Sequence, residues 1–182
     1  MIRWTLIFAG SLLFAAAAMG QEEDGTLEVR REMLAKSNAI RTQRGLKPHR
    51  ENASLMAAAQ DHAQYMARTR TFGHYSNGGP AGRAARHGFD AGVLENIGYG
   101  YATTDAMFVV WTNSGGHRAN MLSGTTDAGF GWAIGGNGTP YWVAVYGTPP
   151  AEPTEDKPDD TSTDTLPQWR PRRGPLDWIR RR

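Results

Sequence analysis

Cysteine is absent from the 182-residue chain. Its absence removes thiol nucleophiles, cysteine-ligated zinc, dithiol redox chemistry and disulfide staples together. The fold must therefore hold by packing alone. Long apolar runs are almost as scarce. The one present, LIFAGSLLFAAAA at residues 6–18, follows a basic Met1-Ile2-Arg3 start and leads through small residues into Gln21-Glu22-Glu23-Asp24. That is the three-part layout of a secretory signal peptide over residues 1–20, with cleavage expected near Gly20. The run falls short of the ~20 residues of a membrane span. No cysteine follows it to carry a lipoprotein anchor. The mature chain is thus expected to be secreted, periplasmic or extracellular, with no transmembrane segment.

Within the expected globular part a clustered charge of one sign is also missing. The net charge is +2. Glu28 to Gly147 holds twelve Arg and Lys against eight Asp and Glu, scattered rather than striped. Nucleic-acid binding needs a basic face, so that partner class is set aside. The generic catalytic signatures are absent too: no His-Glu-x-x-His, no phosphate-binding Walker loop, no Gly-x-Ser-x-Gly.

The sequence pattern outlines one domain over residues 27–147, large enough for its own core. A helix is expected from Thr26 to Arg44, stopped by Gly45 and Pro48. Asn52 is placed to cap a second helix, Ala53 to Arg70, with Leu55, Ala59, His62 and Met66 on one stripe. FGHYSNGG, residues 72–79, reads as loop, and Pro80 opens a short helix ending near Gly88. Val93 to Tyr101, with two glycines and no clear period, reads as loop with extended pieces. Thr104 is expected to cap a helix from Asp105 to Asn113. Ser114-Gly115-Gly116 breaks it before a helical turn from His117 to Leu122. Ala128 to Ile134 and Tyr141 to Gly147, joined by Gly135-Gly136-Asn137-Gly138, are expected to form an antiparallel hairpin. Helices first and strands last imply an α+β domain.

From Thr148 onward the composition turns to proline and acids, then to the basic WRPRRGPLDWIRRR, so residues 148–182 read as a disordered tail. Its basic, tryptophan-bearing end is weighed between a plain solvated tail and a tether to an anionic envelope surface.

Five histidines remain to be placed. His62, on the apolar stripe of the second helix, is expected to be partly buried and hydrogen-bonded. His49 and His87, at element ends, are expected to be exposed. His74 and His117 sit in Gly/Ser-rich loops, where sites tend to be built on a packed scaffold. Glu95 is an acid inside the apolar Val93-Leu94-Glu95-Asn96-Ile97. It needs a partner, either a histidine, an arginine such as Arg83 or Arg118, or backbone amides.

Six segments, SNAIRTQRGL (37–46), LMAAAQDHAQYMA (55–67), FGHYS (72–76), LENIGYG (94–100), WTNSGGHRANML (111–122) and YWVAVYG (141–147), together resemble the bacterial SCP-like branch of the CAP superfamily. That superfamily comprises the cysteine-rich secretory, antigen 5 and pathogenesis-related 1 proteins. The resemblance implies an α–β–α sandwich with a small central antiparallel sheet. It implies a cleft in which His74, Glu95 and His117 fill three of four positions usually held by two histidines and two glutamates. The remaining glutamate has no counterpart in Ser76-Asn77-Gly78-Gly79-Pro80. Through that likeness His74 and His117 become a weak, optional zinc site, with Glu95 orienting a ring or a water.

Three functions follow. The first is a non-enzymatic binding module for a lipid, glycan or protein ligand. The second is a metal-assisted protease or envelope-polymer hydrolase with Glu95 as base. The third is a structural envelope protein with a vestigial cleft.

Overall fold

The computed structural model describes the backbone of residues 7–151 and the side chains of residues 25–151. Most of the leader reading, and the tail reading beyond residue 151, lie outside these. Among the described residues, no helix is long and apolar enough to cross a membrane.

The elements run α1 (Ile7–Gln43), β1 (Arg50–Glu51), α2 (Ala53–Thr69), a 3-10 turn (Ser76–Gly78), α3 (Gly79–Arg86), β2 (Val93–Tyr99), α4 (Thr104–Asn113), α5 (Gly115–Met121), β3 (Asp127–Ile134) and β4 (Pro140–Gly147). The first helix thus begins well before the expected Thr26. Alanine and leucine are strong helix formers, and lone glycines at 20 and 25 weaken a helix without ending it. Its end is as expected: Gly45 takes φ +74°, and the Leu46 amide bonds back to the Arg41 carbonyl.

The Asn52 side chain caps α2 by accepting from the Leu55 amide. Thr103, rather than Thr104, caps α4, accepting from Ala106. The Thr104 hydroxyl instead donates to Glu32, tying α4 to α1.

The sheet order is β1-β3-β4-β2. β3–β4 is the expected hairpin, in register from Asp127↔Gly147 to Ile134↔Pro140. β2 is a full strand, not a loop, pairing antiparallel with β4 from Val93↔Gly147 to Tyr99↔Tyr141. Gly98 and the following Gly100 concealed this. A Cβ at Gly98 would fall 2.2 Å from the Met107 sulfur, so a larger residue there would have to displace that side chain. β1 adds two residues in parallel to the start of β3, making the sheet mixed at that edge.

Strand β4 lies between two layers, and its alternation sorts the core. Trp142, Ala144 and Tyr146 face Met33, Met107, Trp111 and Met121 of α1, α4 and α5. Tyr141, Val143 and Val145 face Leu55, Ala59, Ala63 and Met66 of α2, with Ala84 and Phe89. The chain is an α+β sandwich with helices on both faces of the sheet.

Helix α2 comes unusually close to β3. A Cβ at Gly129 would lie 2.0 Å from the Leu55 carbonyl carbon, and one at Gly131 would lie 2.2 Å from the Ala59 oxygen. The same helix closes the sheet edge beyond β1. The Phe130 amide meets the Met56 sulfur at 3.0 Å. The Trp132 amide donates to the Gln60 Oε1 at 3.1 Å, and the Gln60 Nε2 donates to the Trp132 carbonyl at 2.9 Å. Four residues of helix advance about 6 Å and two residues of strand about 6.7 Å, so successive turns of α2 meet successive outward-facing residues of β3.

Candidate functional site

Glu95 sits in β2 with its side chain 1 % exposed. Its two carboxylate oxygens go to different partners. Oε1 lies 2.9 Å from His74 Nδ1, and Oε2 accepts from Arg83 Nη2 at 2.5 Å. Of the partners the sequence left open, the carboxylate therefore takes a histidine and Arg83, not Arg118. Arg118 donates to the Thr112 carbonyl instead.

Arg83 comes from α3 and is itself buried. Besides Glu95 it donates to the carbonyls of His74 and Ser76, at 3.1 and 2.6 Å. It thereby fixes the loop that presents His74. That loop reaches α3 through three successive residues of positive φ, Asn77, Gly78 and Gly79. A buried guanidinium spread over one carboxylate and two carbonyls meets the demand that a buried charge be paired and hydrogen-bonded.

His117 enters from α5, on the other side of the β2 edge. It makes no hydrogen bond with Glu95's side chain. It lies close enough to His74 to feel its charge: its pKa falls below the usual imidazole value, first by burial and then through His74. The α5 backbone is locked to β2 by asparagines. Asn96 donates to the His117 carbonyl at 3.0 Å, and Asn120 donates to the Glu95 carbonyl and to the Asn96 Oδ1. Trp111 Nε1 adds a bond to the Ile97 carbonyl, so side chains of α4 and α5 seal the outer edge of β2.

Two other histidines depart from expectation. His62 is wholly buried rather than partly so, and the Gly73 backbone is the polar group its ring meets. Burial first, and then the Arg83 cation, push its pKa down to about 4. His49 is buried rather than exposed, tilted against Tyr146 and bonded to Thr125. Its pKa also falls to about 4, through burial and then Arg41. Both sit between elements that the sequence showed only as separate segments.

The model of the cysteine-rich secretory protein family, CAP, matches residues 34–146. The chain belongs to the CAP family. His74, Glu95 and His117 fall inside that span. Solved structures agree on the fold. An outer surface protein of Borrelia burgdorferi superposes with a TM-score of 0.61 at 17% identity, covering 65% of this chain and 91% of that one. An extracellular protein of Bacillus anthracis containing an SCP domain gives 0.59 at 22%, covering 68% and 41%. A cysteine-rich secretory protein of Staphylococcus aureus gives 0.50 at 20%, covering 66% and 38%. The chain spans about two fifths of the length of the last two. No curated protein matches it by sequence.

In this CAP domain the fit to a metal rests on two rings. His74 has Nδ1 committed to Glu95, which leaves Nε2 for a ligand. His117 has a buried Nδ1 with no hydrogen-bond partner among the described residues. Among the described residues, no group of three or more His, Asp or Glu is arranged around a metal position. Two imidazoles suit a water-completed, weak zinc contact and fall short of the three or four protein ligands of catalytic and structural zinc. Glu95 already has the Arg83 guanidinium beside it. Asn96 and Asn120 are the residues sequence reasoning missed, whereas Arg83 was already named as a possible partner of Glu95.

Proposed function

We propose that this CAP-domain protein is a secreted or envelope-facing binding module without catalytic activity. The observation carrying the proposal is the sequestration of Glu95. A general base needs an oxygen within hydrogen-bond reach of the proton it removes. Glu95 has both oxygens engaged and almost no exposure. In this reading it is a positioning group that holds the His74 ring so that its Nε2 faces the ligand, and Arg83 holds Glu95. His74 and His117 then form a two-imidazole site that binds zinc weakly when zinc is present, with lipid, glycan or protein as the ligand class.

The test measures hydrolysis of casein and of cell-wall fragments, with and without zinc, for the parent and Glu95→Gln. The proposal expects no turnover above buffer in any arm. Zinc-dependent turnover that Glu95→Gln abolishes would establish the hydrolase instead. Calorimetry supplies the metal arm: a His74→Ala, His117→Ala double variant should lose the weak zinc heat, and unchanged affinity would remove zinc from the site.

A further inference from the structure

Residues 47–52 cross the outer edge of β3 as a short strap. They pair with it over two residues, Arg50↔Asp127 and Glu51↔Ala128. The Arg50 amide donates to the Thr126 carbonyl at 2.9 Å, and the Asn52 amide donates to the Ala128 carbonyl at 3.0 Å. So short a strand adds little by itself, because a strand is stabilised by its neighbours and by a buried face. Arg50 and Glu51 are both exposed. Within the strap His49 alone is buried.

His49 is therefore the pin. Asn38 of α1 clasps its main chain, Nδ2 donating to the His49 carbonyl at 3.0 Å and Oδ1 accepting from the His49 amide at 2.8 Å. The ring lies 2.9 Å from the Thr125 hydroxyl and tilts against Tyr146. Three charged or titratable groups face it from the elements packed around it. Arg41 of α1 is buried, and its four hydrogen bonds go to the carbonyls of Lys47, Met121, Ser123 and Thr125. Asp127 of β3 attracts a proton toward His49, but its carboxylate is already engaged by Arg50, Asn52 and Thr126. Tyr146 of β4, its pKa raised by burial, stays neutral. A neutral imidazole fits these surroundings. A protonated one would be a second buried cation beside a guanidinium that is held by carbonyls alone.

We infer that residues 47–52 are an acid-released strap: protonation drives the His49 ring from beside Arg41 and lifts Arg50 and Glu51 off β3, while the rest of the sheet stays formed. In place, His49 has a pKa of about 4, set by burial and then by Arg41. Released into water, the imidazole returns to about 6.5. The strap is thus fully held above the upper value and is freed as pH falls toward the lower one. Relative to neutral pH the opening equilibrium rises about tenfold at pH 5.5 and about 80-fold at pH 4.5. Asp127 does not drive the release. Burial raises its pKa, but hydrogen bonds from Thr126, Arg50 and Asn52 outweigh that and hold it below the usual carboxylate range, so it keeps its charge. Once the strap lifts, the Thr126 and Ala128 carbonyls lose their donors and that stretch of the β3 edge is open. The device draws on neither His74 nor His117.

Hydrogen exchange of the full chain, followed by NMR from about pH 7.5 to about pH 4.5 and corrected for intrinsic exchange, reads the opening at the Arg50 and Asn52 amides. Their protection should fall about tenfold by pH 5.5 and about 80-fold by pH 4.5. Local release exposes little surface, so these amides should be nearly insensitive to about 1 M urea, whereas β4 amides should stay slower and respond to it. His49→Gln, which can still bond Thr125, and His49→Phe, which can still pack on Tyr146, should each flatten the pH profile to within about threefold. Either variant suffices if the other fails to fold. His62→Leu, which removes the other buried imidazole, should leave the profile as in the parent. Constant protection across the pH range would overturn the inference. So would strap amides that exchange in step with β4 at the same urea dependence, a parent-like profile in the His49 variants, or a profile flattened by His62→Leu.

Discussion

Replacing Arg83 with methionine isolates the buried ion pair under the cleft. Arg83 and Glu95 each have side chains 1% exposed, so the substitution strands a carboxylate with no solvent and only His74 as partner. Removing one member of a buried pair costs about 3–5 kcal/mol. The carbonyls of His74 and Ser76 lose their donor in the same step. In a domain of roughly 120 residues each kcal/mol moves the midpoint by about 3–6 °C, so Tm should fall by about 10–20 °C. Urea unfolding at neutral pH gives the free energy directly. Adding Glu95→Gln to Arg83→Met removes the stranded charge and should restore about half of the loss. A single variant within about 1 kcal/mol of the parent would refute the buried-pair argument. A double variant no better than the single would reassign Arg83 to anchoring the loop carbonyls.

The buried imidazoles make stability acid-sensitive. His49 and His62 have folded pKa values of about 4 against about 6.5 in the unfolded chain. Between those values only the unfolded chain holds the proton, so stability is complete above the upper value and is lost as pH falls toward the lower one. Denaturation at about pH 4.5 should show about 2 kcal/mol less stability per histidine than at neutral pH, and His62→Leu should remove one share. Gly131→Ala puts a methyl 2.2 Å from the Ala59 oxygen and should cost at least about 1–3 kcal/mol by overpacking, read by thermal melting. Asn120→Ala frees the Glu95 carbonyl and the Asn96 amide and should lower stability by about 1–3 kcal/mol, with faster hydrogen exchange at the β2 edge.

What the sequence made legible was local. The Asn52 cap, the α2 stripe and the hairpin turn each depend on residues a few positions apart, and each stands where it was expected. β2 escaped notice because its identity is set from outside. Gly98 is small for Met107, Glu95 is paid for by Arg83, and the whole strand is ordered by β4. The candidate residues His74 and Glu95 were readable as types in context, and their contact was not, since 21 positions separate them. The burial of His49 and His62 depends on long-range packing that no local pattern encodes.

Beyond the two residues of β1, side chains rather than further backbone finish the outer edges of the sheet: Met56 and Gln60 on β3, Asn120 and Trp111 on β2. A main-chain partner survives almost any substitution, whereas an amide or indole cap does not. The barrier between this sheet and strand-by-strand assembly with its own copies therefore rests on a few residues. Substitution of Gln60 or Asn120 would uncover these edges, whereas substitution of Met56 or Trp111 would open the core as well.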